Sequence, residues 1–189
     1  MTGEASPAST DVALRRLVDR AARHDPDAWE VLYRRAYRPL FGFARRRLFD
    51  DKAAEDAVSE TMARALDNIE RFTWRGGGFD AWLWGIARNV VRELQRSRHR
   101  TLRLVHEDRP STDRGPEDHA VAGAETAAMR TAFGRLDPDQ RELLELRIHA
   151  GLSSDEVGQL LGKRPGAVRM GQARALQRLR TILEEVQGG

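Results

Sequence analysis

Three arginines recur four residues apart in the middle of the 189-residue sequence, at Arg88, Arg92 and Arg96. On a helix they share one side, which places their guanidinium groups roughly 6 Å apart. This spacing is comparable to that of successive phosphates on one DNA strand, and arginine binds phosphate through bidentate hydrogen bonds. The pattern therefore indicates a nucleic-acid-binding face. A solvated helix face is the alternative.

Aromatic residues surround a run of three glycines just before this ridge. Gly76, Gly77 and Gly78 interrupt the helical pattern, because glycine in a helix interior costs about 1 kcal/mol relative to alanine. Aromatic rings stack on unpaired bases while arginines bind phosphates, a combination typical of single-stranded DNA binding. Core packing is the alternative for Trp82 and Trp84, and we expect at least one of them to be buried. The aromatic residues concerned are Trp74, Phe79, Trp82 and Trp84.

A second DNA-binding pattern lies near the C-terminus. Ser153 and Glu156 have the spacing of a capping box, which predicts the start of a short helix. Gly162 suits the left-handed residue after that helix, and Pro165 suits the first position of the longer basic helix that follows. This order is typical of a helix-turn-helix, whose second helix enters the major groove of duplex DNA. A helical hairpin that contacts protein is the alternative.

The elements that position these residues all have helical spacing, and no useful stretch alternates with the period of a strand. We therefore predict an all-α protein of two small helical domains joined by a flexible linker, the C-terminal one a helix-turn-helix. Pro39 is expected to break or kink the helix that begins near Asp27. The predicted ranges are a disordered tail over 1–10, a first domain over 11–100, a linker over 101–124 and a second domain over 125–187.

Two predicted helices dominate the first domain. One runs from about 51 to 69, and the other, which holds the arginine ridge, from about 79 to 98. Arg98 and Arg100 extend the basic run beyond the ridge. The apolar face opposite the ridge consists of Leu83, Ile86, Ala87, Val90 and Leu94.

Charge and composition narrow the function classes. Arginine supplies 30 of the 32 basic residues, and net charge alternates from +5 over 31–50 to −4 over 51–70 and +5 over 71–100, which suggests separate surfaces for separate partners. The sequence has no cysteine, no metal-ligand spacing among its five histidines and no recognisable catalytic motif, so we expect no enzyme activity, no metal and no cofactor.

No apolar run approaches the roughly 20 residues that span a bilayer. With no signal peptide at the start, we expect a cytoplasmic protein without membrane insertion.

Three stretches together resemble the extracytoplasmic-function (ECF) group of sigma-70 sigma factors, the promoter-specificity subunits of bacterial RNA polymerase. They are residues 54–61 (AEDAVSET), 79–89 (FDAWLWGIARN) and 152–180, and the resemblance extends from Asp25 to about Leu183. It implies an alternative sigma factor that binds core RNA polymerase and directs promoter-specific initiation. The first domain would capture the melted −10 strand and the second would read the −35 duplex.

The resemblance also implies roles for single residues. Asp56 and Glu60 would face the clamp helices of the largest polymerase subunit, while the flap of the second-largest subunit would be a further contact. The −10 strand would meet Trp74, Phe79, Trp82, Arg88, Asn89, Arg92 and Arg96. The −35 duplex would meet Arg164, Gly166, Ala167, Arg169, Met170, Ala173 and Arg174. The family also implies an anti-sigma factor as a regulatory partner.

The sequence departs from the family pattern at several positions. The three glycines leave the base preference of the loop open, and Met170 and Ala173 replace polar or larger residues. Gln172 stands where an apolar residue is common, with Leu176 as a candidate to compensate, and Gly171 lies in a helix interior. The competing hypothesis is a dimeric helix-turn-helix regulator that acts without polymerase and binds palindromic duplex sites.

Overall fold

Every regular element is a helix in the parts of the chain that this computed structural model describes, residues 7–74, 78–105 and 124–187. The all-α prediction is confirmed. Contacts divide the chain into two compact units, Met1–Trp74 with Trp82–Arg109 and Arg75–Ala81 with Pro110–Gly189. The finer domain limits of 11–100 and 125–187 stay predictions.

The first unit contains three complete helices and most of a fourth among the described residues. They are α1 (Pro7–Ala21), α2 (Pro26–Leu48), α3 (Asp51–Asn68), which leads into a 3₁₀ turn (Ile69–Arg71), and α4 (Gly78–Val105). Consecutive helices α1 and α2, and α2 and α3, pack against each other. Helix α4 meets α2 through Trp84, whose ring lies edge-on to Phe43 with the centroids 5.2 Å apart.

Aspartates cap the start of α2 and of α3. The Asp25 side chain accepts a hydrogen bond from the Ala28 N–H at 3.2 Å, and the Asp50 side chain accepts one from the Ala53 N–H at 2.8 Å. The Arg20 side chain, which donates to Asp25 at 2.7 Å, and the Ala28 N–H lower the pKa of Asp25. Both caps satisfy backbone donors that a helix start leaves unpaired.

Of the break or kink expected at Pro39, the break is wrong, because α2 continues through this residue. The kink stays a prediction. Pro39 lies on the exposed side of the helix. Proline has no N–H to donate, so the intrahelical hydrogen bond from this position is missing at a place that water can reach. Leu40 and Phe43 remain buried, at 2% and 1% exposure, and hold the helix against the core.

Helices also extend into ranges that the sequence predicted to be irregular. Helix α1 begins at Pro7, so the last four residues of the predicted tail are helical, with proline at its preferred first position. Helix α4 continues to Val105, and α5 begins at Ala124, so both ends of the predicted linker are helical. Residues 1–6 and 106–123 lie outside the described residues.

The second unit consists of helices gathered around its longest one. In order they are α5 (Ala124–Gly134), α6 (Pro138–Leu144), a π-helical turn (Glu145–His149), α7 (Ser154–Leu161) and α8 (Pro165–Gln187). Helix α8 packs against α5, α6 and α7. Val168, Ala175 and Ile182 form its buried face, at helical spacing, while Leu179 is half-buried.

The predicted signals of the helix-turn-helix are confirmed. Ser153 and Glu156 form a capping box: Ser153 Oγ accepts from the Glu156 N–H at 3.2 Å, and the Glu156 carboxylate accepts from the Ser153 N–H at 2.5 Å. Gly162 ends α7 with a φ of 65°, a left-handed conformation that favours glycine. Pro165 then begins α8.

Candidate nucleic-acid interfaces

A cavity of about 290 Å³ opens on the first unit between α3, the 3₁₀ turn and α4. Its volume is at the lower limit for small-ligand sites, which suits one base better than a duplex. Trp82 and Asn89, two of the predicted −10 residues, share this cavity. Its lining residues are Arg64, Asn68, Arg71, Trp82, Ile86, Asn89 and Glu93.

An aromatic cluster connects the cavity to the residues before the glycines. The Phe72 ring lies 5.1 Å from that of Trp82 and 5.0 Å from that of Trp74, centroid to centroid. The Arg15 guanidinium lies over the Trp74 side chain of this cluster, 4.7 Å from the centroid of a ring. Trp74 and Trp82 are half-buried, whereas Trp84 is only 5% exposed. The expectation that at least one of Trp82 and Trp84 is buried is therefore confirmed.

Phe79 does not present its ring for stacking in this structure. It is 1% exposed, so a base cannot reach it without a rearrangement, and its assignment to the −10 strand needs correction. An aromatic residue beside a glycine run suits a core position and a binding position equally well by sequence. Burial decides between the two, and it places Phe79 among the packing residues.

The arginine ridge of α4 is less uniform than its spacing predicts. Arg96 is exposed, while Arg88 and Arg92 are half-buried. Arg96 Nε donates to the Arg92 carbonyl at 3.3 Å. The buried face also differs from the predicted one, because Trp84 and Val91 are buried whereas Ile86 and Leu94 are only half-buried. The half-buried Ile86 is one wall of the cavity.

Arg98, predicted to extend the basic run, has a structural role. Its guanidinium donates to the Leu48 carbonyl at 2.5 Å and to the Asp50 carboxylate at 3.0 Å, so it ties α4 to the turn between α2 and α3. The Ala53 N–H and the Arg98 charge lower the pKa of Asp50. Gln95 adds a bond to the Arg47 carbonyl at 3.0 Å.

The exposed face of α3 carries the two acidic residues assigned to polymerase. Asp56 and Glu60 are exposed, opposite the buried Val58 and Met62. Glu60 also accepts a hydrogen bond from Arg64 Nε at 2.6 Å, the helical pairing that their spacing allows. Asp56 and Glu60 are therefore accessible, but one of them is already paired within the chain.

Arg64 bonds to a second carboxylate across the cavity. Its Nη2 atom donates to Glu93 Oε2 on α4 at 2.8 Å. The hydrogen bond with Glu93 is the largest cause that raises the pKa of Arg64, and the bond with Glu60 is the second. The bond from Arg64 in turn lowers the pKa of Glu93. Sequence spacing does not predict this bond, because a contact between residues 29 positions apart has no local signal.

All the residues predicted for the −35 duplex are exposed. They belong to α8 and the residue before it, on the side opposite Val168, Ala175 and Ile182. At 100° per residue, Gly166 and Ala173 occupy the centre of the outward face, and Arg169 and Arg174 flank it. Small residues at the centre allow the helix to come close to the floor of a groove, while the flanking arginines reach base edges or phosphates.

Gln172 and Gly171 have packing reasons for their departure from the family pattern. Gln172 Oε1 accepts a hydrogen bond from Arg147 Nε at 2.8 Å, and Arg147 also donates to the Leu152 carbonyl. Leu176 is 41% exposed, so it does not replace a buried apolar residue. A Cβ on Gly171 would lie 3.1 Å from Leu143 Cδ1, so glycine permits the close approach of α6 and α8.

Gly158 is a residue of the helix-turn-helix that the sequence analysis missed. The Lys163 N–H donates to the Gly158 carbonyl at 2.8 Å, and the Lys163 carbonyl oxygen would lie 2.6 Å from a Cβ on Gly158. A side chain there would therefore displace the backbone of the turn. A small residue inside a short helix is the signal that could have indicated this close approach.

Gly158→Ala is expected to destabilise the second unit by about 1–3 kcal/mol, because the added methyl overpacks against backbone that cannot move aside. Thermal unfolding of the full chain, followed by circular dichroism, measures the effect. Gly166→Ala is the matched control, since among the described residues no atom beyond its chain neighbours and its own helix backbone lies within 4 Å of a Cβ at that position. Equal unfolding temperatures for the two variants would contradict the packing argument.

The described part of the chain lacks two other kinds of feature. Within residues 7–74, 78–105 and 124–187, no helix has the length and apolarity needed to cross a membrane. In the same described part of the chain, no cluster of three or more His, Cys, Asp or Glu side chains is arranged to hold a metal ion.

Two family models match the chain. The model of sigma-70 region 2 matches residues 32–101, which include the helices around the cavity. The model of sigma-70 region 4 matches residues 132–181, which include the helix-turn-helix. Each model therefore covers one of the two surfaces described above.

Individual relatives extend these matches over most of the chain. The ECF RNA polymerase sigma factor BldN of Streptomyces coelicolor is 36% identical over 180 residues, which span 94% of this chain and 68% of BldN. The ECF RNA polymerase sigma factor ShbA of Streptomyces griseus is 36% identical over 180 residues, 89% of this chain and 94% of ShbA.

Solved structures with the same fold include two complexes. CnrH, in complex with the cytosolic domain of CnrY, matches with a TM-score of 0.68 and 27% identity over 90% of this chain and 97% of that chain. The sigma factor RpoE of Bartonella quintana, in complex with the anti-sigma factor NepR, matches with a TM-score of 0.62 and 26% identity over 82% of this chain and 93% of that chain.

Proposed function

The chain belongs to the ECF group of sigma-70 RNA polymerase sigma factors, which direct transcription initiation, and we propose how its two units divide that work. The first unit binds core polymerase and captures the melted −10 strand. The second unit reads the −35 duplex. Sigma factors act by binding rather than by catalysis, so the residues proposed below are contact residues.

The −10 proposal rests on the cavity of the first unit. It combines an aromatic ring, Trp82, with a side-chain amide, Asn89, and with basic residues at its edge. Taking a base out of its stack costs a few kcal/mol, which ring stacking and hydrogen bonds in a pocket offset. We assign the base to Trp82 and Asn89, with Trp74 beside them and with Arg88, Arg92 and Arg96 along the backbone of the strand.

The −35 proposal rests on the exposed face of α8. The observation that carries it is that Arg164, Gly166, Ala167, Arg169, Met170, Ala173 and Arg174 are all exposed on one helix-turn-helix. A helix of this kind enters the major groove, where arginine recognises the edge of guanine and small apolar side chains contact the methyl group of thymine.

For polymerase we propose that Asp56 and Glu60 face basic residues of the clamp helices, and that the second unit meets the flap of the second-largest subunit. Charges at the rim of an interface change the association rate and its salt dependence more than they change packing. Because its proposed partners are core polymerase and promoter DNA, we also propose a cytoplasmic location, on the nucleoid when the protein is in holoenzyme.

The combined substitution Asp56→Ala and Glu60→Ala is expected to weaken binding to purified core polymerase about fivefold to tenfold, most strongly at low salt. Fluorescence anisotropy of labelled protein titrated with core measures the affinity. Glu55→Ala is the matched control, because Glu55 is an exposed acid on the same helix but lies off the proposed contact face. The docking assignment is wrong if Glu55→Ala weakens binding as much as the combined variant.

An anti-sigma factor is the proposed regulatory partner. The matching RpoE structure is a complex with an anti-sigma factor, and this chain has the same fold over 82% of its length. Such a partner would keep the chain from polymerase until a signal releases it. Copurification of the tagged chain from its own host, followed by mass spectrometry and a test for inhibition of transcription, would identify it.

A further inference from the structure

We infer that Arg64 is a positioning residue for strand capture, because it neutralises Glu93 in the wall of the cavity. This inference rests on the proposed capture of the −10 strand at that cavity. Arg64 and Glu93 both line it, together with Trp82 and Asn89. A bound strand therefore passes beside the Glu93 carboxylate, whose negative charge would repel the phosphates.

The geometry of Arg64 suits this role. Its Nη2 atom donates to Glu93 Oε2 at 2.8 Å, while its Nε atom donates to Glu60 Oε1 at 2.6 Å. The two bonds fix the guanidinium from both sides, with its side chain 39% exposed and that of Glu93 50% exposed. The positive charge thus stays at the cavity edge, next to Glu93, which is the one acidic side chain among the described residues that line the cavity.

The backbone supports the same arrangement. Asn68, also in the cavity wall, donates its side-chain amide to the Arg64 carbonyl at 2.8 Å. Arg64 and Asn68 therefore form one wall from successive turns of α3, and Glu93 forms the facing wall on α4. The Arg64 and Glu93 charges, joined by a bond of 2.8 Å, lie well within the screening length of physiological salt, about 8 Å. Salt therefore does not screen the one from the other.

The test compares Arg64→Gln, Glu93→Gln and the combined variant in holoenzyme. The probe is a forked promoter DNA with an unpaired −10 strand, taken from a promoter mapped with the unaltered protein. Arg64→Gln is expected to weaken binding about fivefold, the upper range for an exposed ion pair. The combined variant is expected to bind within about twofold of the unaltered protein, because the unmasked carboxylate in the cavity wall is gone. Glu60 also loses its bond to Arg64, but it is not among the residues that line the cavity.

Two controls separate this role from others. Arg64→Lys keeps the charge and is expected to keep the binding. If the pair only holds α3 to α4, then Glu93→Gln weakens binding as much as Arg64→Gln, which overturns the inference. If Arg64 contacts DNA directly, the combined variant stays as weak as Arg64→Gln, which also overturns it.

Asn89→Ala distinguishes failure of the inference from failure of the proposed function. Loss of binding with Asn89→Ala, but no rescue in the combined variant, overturns the role of Arg64 alone. Unchanged binding with Asn89→Ala means that the strand is not captured at this cavity, and the role of Arg64 falls with it. Thermal unfolding of each variant shows that the compared proteins are folded.

Discussion

Holoenzyme that carries Arg169→Ala and Arg174→Ala together is expected to lose its preference for the −35 element of its promoters by about 100-fold. Each arginine that recognises a base edge contributes about 1–3 kcal/mol of discrimination, and two such contacts act on different bases. Both side chains are exposed on the outward face of α8, where they flank the small residues Gly166 and Ala173.

The measurement is competition binding of holoenzyme to promoter duplex against the same duplex with a scrambled −35 element. Arg180→Ala is the matched control, because Arg180 lies on the same helix, two turns beyond Ala173. Its side chain is paired with Glu184 at 3.1 Å. Arg180→Ala is expected to keep the discrimination. If the combined variant also discriminates as the unaltered protein does, then α8 does not read the −35 element.

Trp82→Ala is expected to reduce open-complex formation by roughly 10- to 100-fold, since stacking of one base on an aromatic ring contributes about 1–3 kcal/mol. Trp82 lines the cavity and contacts Phe72, with their centroids 5.1 Å apart. Permanganate footprinting of the melted strand measures the loss directly, because it reports unpaired thymines in the −10 region.

Trp82→Phe separates stacking from folding. It keeps an aromatic ring at the cavity, so most of the melting activity is expected to remain. Circular dichroism and thermal unfolding of Trp82→Ala show whether the helices persist. A folded Trp82→Ala protein that melts promoters as fast as the unaltered one would contradict the base-capture proposal.

The sequence predicted the helix-turn-helix well because its signals are local. The capping box at Ser153 and Glu156, the left-handed Gly162 and the initial Pro165 each act within one turn of backbone. The inner face of α8 follows from periodicity alone, since Val168, Ala175 and Ile182 recur every seven residues. Gly158 escaped prediction because its constraint is a carbonyl oxygen five residues later in a folded turn.

The cavity was harder to predict because its walls come from separate helices. Periodicity predicted an apolar face and an arginine ridge on α4. It could not show that Trp84 packs on Phe43 while Trp82 lines the cavity. It also could not show that Phe79 is buried, or that Arg98 bonds to the turn between α2 and α3. These assignments depend on contacts between distant residues, which spacing along one helix does not record.

Transcription in vitro tests the account most directly. Purified core polymerase is supplied with or without this protein on fragmented DNA from a GC-rich bacterium, and the RNA start sites are mapped. We expect new start sites that share two upstream motifs at a fixed spacing, one for each DNA-reading unit. No new start sites, together with a palindromic footprint on duplex DNA in the absence of polymerase, would contradict the account and favour a dimeric regulator.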